Sequence, residues 1–122
     1  MSGFSVEVQA QFLDRESDPE DDRYVFSYTI TIVNGGELPG RLLHRHWVIT
    51  DGSGHVEQVT GAGVVGEQPR IKPGESFRYT SGAVIKTPVG SMEGSYHFER
   101  DDSAGFEVAI PAFLLSVPNM VH

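Results

Sequence analysis

The chain has 122 residues, with 17 acidic and nine basic side chains, a formal net charge of -8 at pH 7, and no cysteine. This length suits a single domain, which we expect to span residues 1–122. The lack of cysteine excludes disulfides, thiolate metal sites and cysteine nucleophiles. The negative charge repels phosphate backbones and anionic lipids, so we expect neither nucleic acid nor a membrane as a partner.

Two further properties bear on the cellular location. The chain enters alternating polar and apolar residues at once, with no apolar run of signal-peptide length. Its longest apolar runs are far too short to cross a bilayer. Because a cysteine-free composition also leans towards a reducing compartment, we expect a cytoplasmic protein.

Alternating hydrophobicity predicts two strands in the first third of the chain. Residues 4–12 place apolar side chains at every even position, and a second alternating run extends from Tyr24 to the turn at Asn34-Gly35-Gly36. The segment between them is predicted to be a solvated connection. Its acidic residues are Asp14, Glu16, Asp18, Glu20, Asp21 and Asp22.

The middle of the chain continues this pattern. A third strand is predicted over residues 42–50, with Leu43, Trp47 and Ile49 pointing inward because they share parity. A short strand at 55–60 leads into a glycine-rich loop, and a turn at 72–75 precedes a strand that carries Phe77 and Tyr79.

The last third completes an all-β pattern. A strand holding Tyr96 and Phe98 follows the turn at 87–91, and a final pair of short strands covers 106–110 and 113–117. No segment has a helical period. Seven or eight short strands separated by turn residues predict an antiparallel two-layer β-sandwich, with a small closed barrel as the alternative.

Several motifs, in one order along nearly the whole chain, resemble those of the ApaG family. They are Arg45-His46-Trp47-Val48-Ile49-Thr50-Asp51, the stretch GAGVVGEQP at 61–69, Pro73-Gly74-Glu75, Tyr79-Thr80-Ser81-Gly82, Thr87-Pro88 and Gly90-Ser91-Met92-Glu93-Gly94. The resemblance implies a single ApaG domain with a fibronectin type III-like (immunoglobulin-like) antiparallel β-sandwich of seven to eight strands. It also implies an association with cobalt resistance and magnesium efflux. Related domains in eukaryotic F-box and polymerase-interacting proteins look like protein-binding modules.

The glycine-rich loop has two interpretations. Gly61, Gly63 and Gly66 match the spacing that lets a dinucleotide pyrophosphate approach backbone N–H groups, which predicts a pyrophosphate or nucleotide site. However, no helix follows, and Glu67 places a negative charge beside the expected phosphate position. The favoured interpretation is a bulge or tight loop packed on the sandwich, with Val64 and Val65 as its apolar anchor. Together with these glycines and Glu67, Gln68 completes a predicted binding loop.

Histidines and carboxylates supply candidate metal ligands. His44 and His46 lie two apart on one strand, so both imidazoles share a face and are weak candidates for a metal site with Asp51 or His55. The acidic segment 14–22 is a candidate for weak Mg²⁺ or Co²⁺ binding. No other cofactor is expected. Arg45 is expected to pair with a carboxylate, Asp51 or Glu67.

Catalytic patterns are lacking in the sequence. The segment around Ser91 lacks the first glycine of a nucleophile elbow. No Ser, His and Asp residues have the spacing of a known catalytic triad. We therefore expect a non-enzymatic module that binds an unknown protein. The predicted contact surface combines the glycine loop with Arg45, His46 and Trp47, and pairing of exposed strand edges would give a homodimer.

Overall fold

The computed structural model describes residues 2–118 and is built from eight β-strands. Two short 3-10 turns, Asp14–Glu16 and Pro19–Asp21, occupy the predicted acidic connection. Among the described residues, no helix is long and apolar enough to span a membrane. The strands are β1 Phe4–Phe12, β2 Tyr24–Asn34, β3 Gly40–Asp51, β4 Val56–Ala62, β5 Arg70–Ile71, β6 Ser76–Ile85, β7 Val89–Glu99 and β8 Gly105–Ser116.

The strands form two separate antiparallel sheets. The smaller sheet has the order β1-β2-β6, and the larger has the order β4-β3-β7-β8 with β5 paired to the start of β3. The predicted all-β antiparallel sandwich is confirmed, and the closed barrel is excluded because the strands divide into two sheets. β4 and β6 each pair on one side only, so both are edge strands.

The core lies between the sheets and is rich in aromatic side chains. The face of β2 that carries Ile30 and Ile32 points into this core, and both residues are fully buried. Trp47 of β3 lies at the centre, with its ring centroid 5.2 Å from that of Tyr28 and 6.0 Å from that of Phe113, both in edge-on geometry. Such pairs add stability beyond the area that they bury.

A β-bulge in β3 changes the predicted inward residues of that strand. Leu42 faces Phe98 of β7 and the next pair is His44 with His97, so Leu43 is an extra residue without a partner. Leu42 is fully buried, whereas Leu43 is only partly buried. The prediction that Leu43 points inward with Trp47 is therefore wrong, because the bulge shifts the alternation by one residue.

The C-terminal part also differs from its prediction. Residues 106–110 and 113–117 were expected to form two short strands, but β8 is one continuous strand paired with β7. Its register shifts where Ile110 and Phe113 face Gly94 and Met92. Pro111 lies in this bulge. Proline has no N–H to donate, and the ladder of hydrogen bonds is already interrupted at a bulge, so the proline fits here.

Candidate functional site

The β3 bulge anchors the glycine-rich loop. The unpaired residue Leu43 uses its carbonyl oxygen to accept two hydrogen bonds, one from the Gly63 backbone N–H at 2.7 Å and one from Nε2 of Gln68 at 3.0 Å. The Leu42 N–H donates to the Pro69 carbonyl at 3.0 Å. Both ends of the loop are therefore fixed to one strand, and Gln68 acts as a structural tie.

A two-residue turn forms the tip of this loop. Val64 and Glu67 exchange backbone hydrogen bonds of 2.8 and 2.9 Å, and between them Val65 has φ 44° and Gly66 has φ 82°. Positive φ at both central residues is the signature of a type I′ turn, which strongly prefers Asn-Gly. Val65 is therefore an unfavourable residue at its position, because a β-branched side chain crowds the left-handed backbone.

The side chains of the turn have opposite environments. Val64 is 1% exposed and packs into the core cluster, whereas Val65 is 55% exposed. Glu67 is also exposed. The turn, defined here as residues 64–67, thus presents one apolar and one acidic side chain from a firmly anchored base.

Arg45 supports the loop from below. Its Nη1 donates to the carbonyls of Ala62 at 3.1 Å and Gly63 at 2.9 Å. A Cβ at Gly61 would lie 2.8 Å from the guanidinium carbon, so a larger residue at this position would displace the Arg45 side chain. The expected ion pair of Arg45 with Asp51 or Glu67 is wrong, because its donors bind loop carbonyls instead.

The backbone donors of the loop are largely used within the loop. The N–H groups of Gly63, Val64 and Glu67 all donate to backbone carbonyls. A phosphate cradle needs such groups to be free and to converge on one point. The arrangement of Gly61, Gly63 and Gly66 is thus that of a packed loop, which was the favoured interpretation of the sequence.

A cleft of about 320 Å³ lies behind the turn, between the edge strands β4 and β6 of the two sheets. Tyr79 and Arg45 are among the residues that line it. The hydroxyl of Tyr79 hydrogen-bonds that of Tyr96, which is fully buried. Burial raises the pKa of Tyr79 to about 12 and raises the pKa of Tyr96 as well, while the nearby Arg45 charge opposes both shifts. Both phenols are therefore neutral at physiological pH.

The predicted metal ligands lie apart from one another. Asp51 is at the far end of β3, seven residues from His44 and thus roughly 23 Å away along the strand. There Asp51 caps a turn by accepting bonds from Ser53 and His55, and these bonds lower its pKa. Within residues 2–118, no three His, Asp or Glu side chains converge as a set of metal ligands.

Of the two neighbouring residues Trp47 and His46, both predicted to lie on the contact surface, one is buried and the other points outward. Trp47 is 2% exposed and belongs to the core, so its assignment to the contact surface is wrong. The reason is that Trp47 faces the smaller sheet, while His46 beside it points outward. His46 hydrogen-bonds through Nε2 to Oε1 of Gln58, 3.0 Å away on β4.

Comparisons with known proteins agree with the resemblance of the sequence motifs to the ApaG family. The sequence profile of the ApaG domain matches residues 14–100, which is more than half of the chain. The chain belongs to the ApaG family. The protein named ApaG from Azoarcus sp. (strain BH72) is 57% identical over 117 residues, covering 96% of this chain and 92% of that protein. The ApaG protein of Dechloromonas aromatica (strain RCB) is 51% identical over 121 residues, covering 98% and 95%.

A solved structure extends the agreement to three dimensions. The crystal structure of a Bordetella pertussis protein described as ApaA has a TM-score of 0.93 and 45% identity, covering 96% of this chain and 95% of that chain. These relatives carry family names without an activity. For this ApaG-family protein, function must therefore be argued from its own surface.

Sequence reasoning missed two polar residues on the outer face of the larger sheet. His97 of β7 lies directly across from His44, and its Nδ1 is 2.7 Å from Oε1 of Glu107 on β8. These side chains line a groove of about 460 Å³ with His46. The alternation of β7 places His97 on the outer face, but only the register between strands shows which residues adjoin it.

Proposed function

We propose that this protein is a non-enzymatic module that binds another protein through the tip of the turn 64–67. The observation that carries the proposal is Val65, an apolar residue that is 55% exposed at φ 44°. Unfavourable backbone conformations persist where the surrounding structure enforces them, and they cluster at functional sites. Here the β3 bulge and Arg45 supply that enforcement.

The side chains of the turn 64–67 indicate which groups a partner surface must present to it. A rigid tip loses little conformational entropy on binding, so burial of Val65 contributes directly to affinity. Glu67 forms no ion pair with the described residues, and the chain carries a net charge of -8. The partner that fits is a protein with an apolar pocket for Val65 beside a basic side chain for Glu67.

The polar groups of the structure support binding rather than catalysis. Among residues 2–118, the single hydrogen bond between an imidazole ring and a carboxylate is that of His97 with Glu107, and no hydroxyl group bonds to this imidazole. In this proposal the module acts in the cytoplasm, and the family's association with cobalt resistance and magnesium efflux operates through the bound protein.

Photo-crosslinking in living cells tests this function. A photoreactive amino acid replaces Val65 in one variant and, as a control, replaces Leu114 in another. Leu114 is an apolar residue of β8 that is 67% exposed. We expect one protein to be crosslinked from position 65 and not from position 114. Equal crosslinking from both positions, or none from position 65, would contradict the proposal.

A further inference from the structure

We propose that His44 and His97 together bind one divalent cation of the zinc class, with Glu107 orienting His97. This site lies on the outer face of the larger sheet and uses none of the residues of the turn 64–67. It is therefore independent of the proposed protein-binding function. It also differs from the ligand set His44, His46 and Asp51 that the sequence suggests.

The register of β3 and β7 brings the two imidazoles together. His44 and His97 are direct cross-strand partners, and their rings lie nearly parallel, with 25° between the planes and 6.3 Å between the centroids. Direct partners on one face have Cβ atoms about 5 Å apart. The regular register of residues 44–51 with residues 90–97 sets this pairing, and the bulge at Leu43 lies immediately before it.

Glu107 prepares His97 to act as a metal ligand. Nδ1–H of His97 donates to the Glu107 carboxylate, so in the neutral imidazole the lone pair is on Nε2. A carboxylate that accepts the second ring N–H of a ligand histidine is the usual outer-shell arrangement at zinc sites, where it fixes the tautomer and raises ligand basicity. As a surface ion pair, with side chains 40% and 62% exposed, the contact contributes little to stability.

The space around Nε2 is kept open by a glycine. A Cβ at Gly105 would lie 3.2 Å from Nε2 of His97 and 2.9 Å from the adjacent ring carbon. Gly105 has no positive φ that would require glycine for the backbone. The missing side chain therefore leaves room at the atom that carries the lone pair.

Binding requires the His44 ring to rotate out of its nearly parallel position beside His97. With zinc–nitrogen bonds of about 2.1 Å, the two ligand nitrogens must approach to roughly 3.4 Å. Because His44 is exposed, its ring can rotate towards His97 without disturbing the core. Two imidazoles leave the remaining tetrahedral positions to water. Imidazole ligands select Zn²⁺ or Ni²⁺ over Mg²⁺, which prefers oxygen.

Calorimetric titration with Zn²⁺ tests the site. The parent is the untagged protein with His122→Ala, which removes the histidine that lies outside the described residues. We expect one Zn²⁺ per chain. Glu107→Gln should weaken binding by roughly 10- to 100-fold, and His44→Ala or His97→Ala should weaken it by more, since each removes a ligand. Mg²⁺ should give no saturable signal.

Two further variants make the test specific. His46→Ala removes the neighbouring imidazole of the same face and should leave Zn²⁺ affinity unchanged. Gly105→Ala keeps every ligand but crowds Nε2, so it should weaken binding. NMR of the histidine ring nitrogens should show shifts at His44 and His97 in the parent. The proposal is overturned if Zn²⁺ does not bind, if His44→Ala or His97→Ala binds as the parent does, or if His46→Ala weakens binding equally.

Discussion

Val65 combines two features that folding alone would disfavour. Its left-handed backbone conformation is costly for a β-branched residue, and its apolar side chain is more than half exposed at the tip of the turn 64–67. Asparagine would relieve both costs, because it tolerates this conformation and hydrates readily, and Asn-Gly is the preferred pair for a type I′ turn. The valine therefore makes sense as a contact residue.

Val65→Asn should make the isolated protein more stable. We expect the free energy of unfolding in urea to rise by about 1 kcal/mol, the approximate cost of the left-handed conformation for an ordinary residue. Leu114→Asn is the control at an exposed strand position, where asparagine brings no such gain. An unchanged or lower stability of Val65→Asn would show that the turn stores no strain.

The buried tyrosine pair makes stability sensitive to alkaline pH. Unfolded tyrosine loses its proton near pH 10, whereas burial raises the pKa of Tyr79 to about 12 and raises that of Tyr96 too. The stability that depends on neutral phenols is therefore complete below pH 10 and declines above it, and the part that depends on Tyr79 is lost as the pH rises from 10 to 12. Above pH 10 the unfolding free energy should fall by about 1.4 kcal/mol per pH unit for each of the two residues.

The double variant Tyr79→Phe/Tyr96→Phe isolates this effect. It removes both hydroxyl groups together, so neither remains buried without a partner. Urea unfolding at pH 8, 10 and 11 should show a clearly shallower decline than in the parent protein. The same decline in both proteins would assign the alkaline sensitivity to other groups.

At the scale of the elements, the loop depends on two glycines for different reasons. Gly63 has φ 63°, and a Cβ there would lie 2.2 Å from the Glu67 carbonyl oxygen. Gly66 has φ 82° and open space around it. One position thus combines an unfavourable backbone conformation with a steric overlap, while the other has the backbone cost alone.

Alanine substitutions should separate these costs. Gly66→Ala should lower the unfolding free energy by about 1 kcal/mol, from backbone strain. Gly63→Ala should lower it by about 3 kcal/mol or more, because overpacking adds to the strain. Thermal unfolding of the two variants measures the difference, and equal effects would show that the loop backbone moves freely.

The limits of prediction at this scale come from bulges. Alternation located the strands because each sheet buries one face, and it put Ile30 and Ile32 on the same face, which the structure shows to be buried. The extra residue Leu43 and the irregularity at Pro111 leave no mark on local hydrophobicity. They shift the registers of β3 with β7 and of β7 with β8, and it is the register of β3 with β7 that pairs His44 with His97. A pattern along one strand cannot supply that pairing.

For the whole molecule, the two-sheet architecture followed from alternating strands and turn residues, but the contact surface did not. The sequence motif suggested Arg45 and Trp47 as surface residues, although the structure uses Arg45 to hold loop carbonyls and Trp47 to fill the core. The prediction that Val64 and Val65 both anchor the loop is wrong for Val65, because only Val64 packs into the core and Val65 is 55% exposed. Its significance arises from the turn geometry that the assembled sandwich enforces.

The architecture places the turn 64–67 beside a cleft that is lined by residues of the edge strands β4 and β6. Binding through this turn is tested most directly with the partner protein that is crosslinked from position 65. Its dissociation constant is measured for the complexes with the unmodified chain, with Val65→Asn and with Leu114→Asn. Loss of a buried valine contact costs about 1.5–3 kcal/mol, so Val65→Asn should bind roughly tenfold more weakly or worse, while Leu114→Asn binds as the parent does. If Val65→Asn and the parent bind the partner with equal affinity, binding through the turn 64–67 is contradicted.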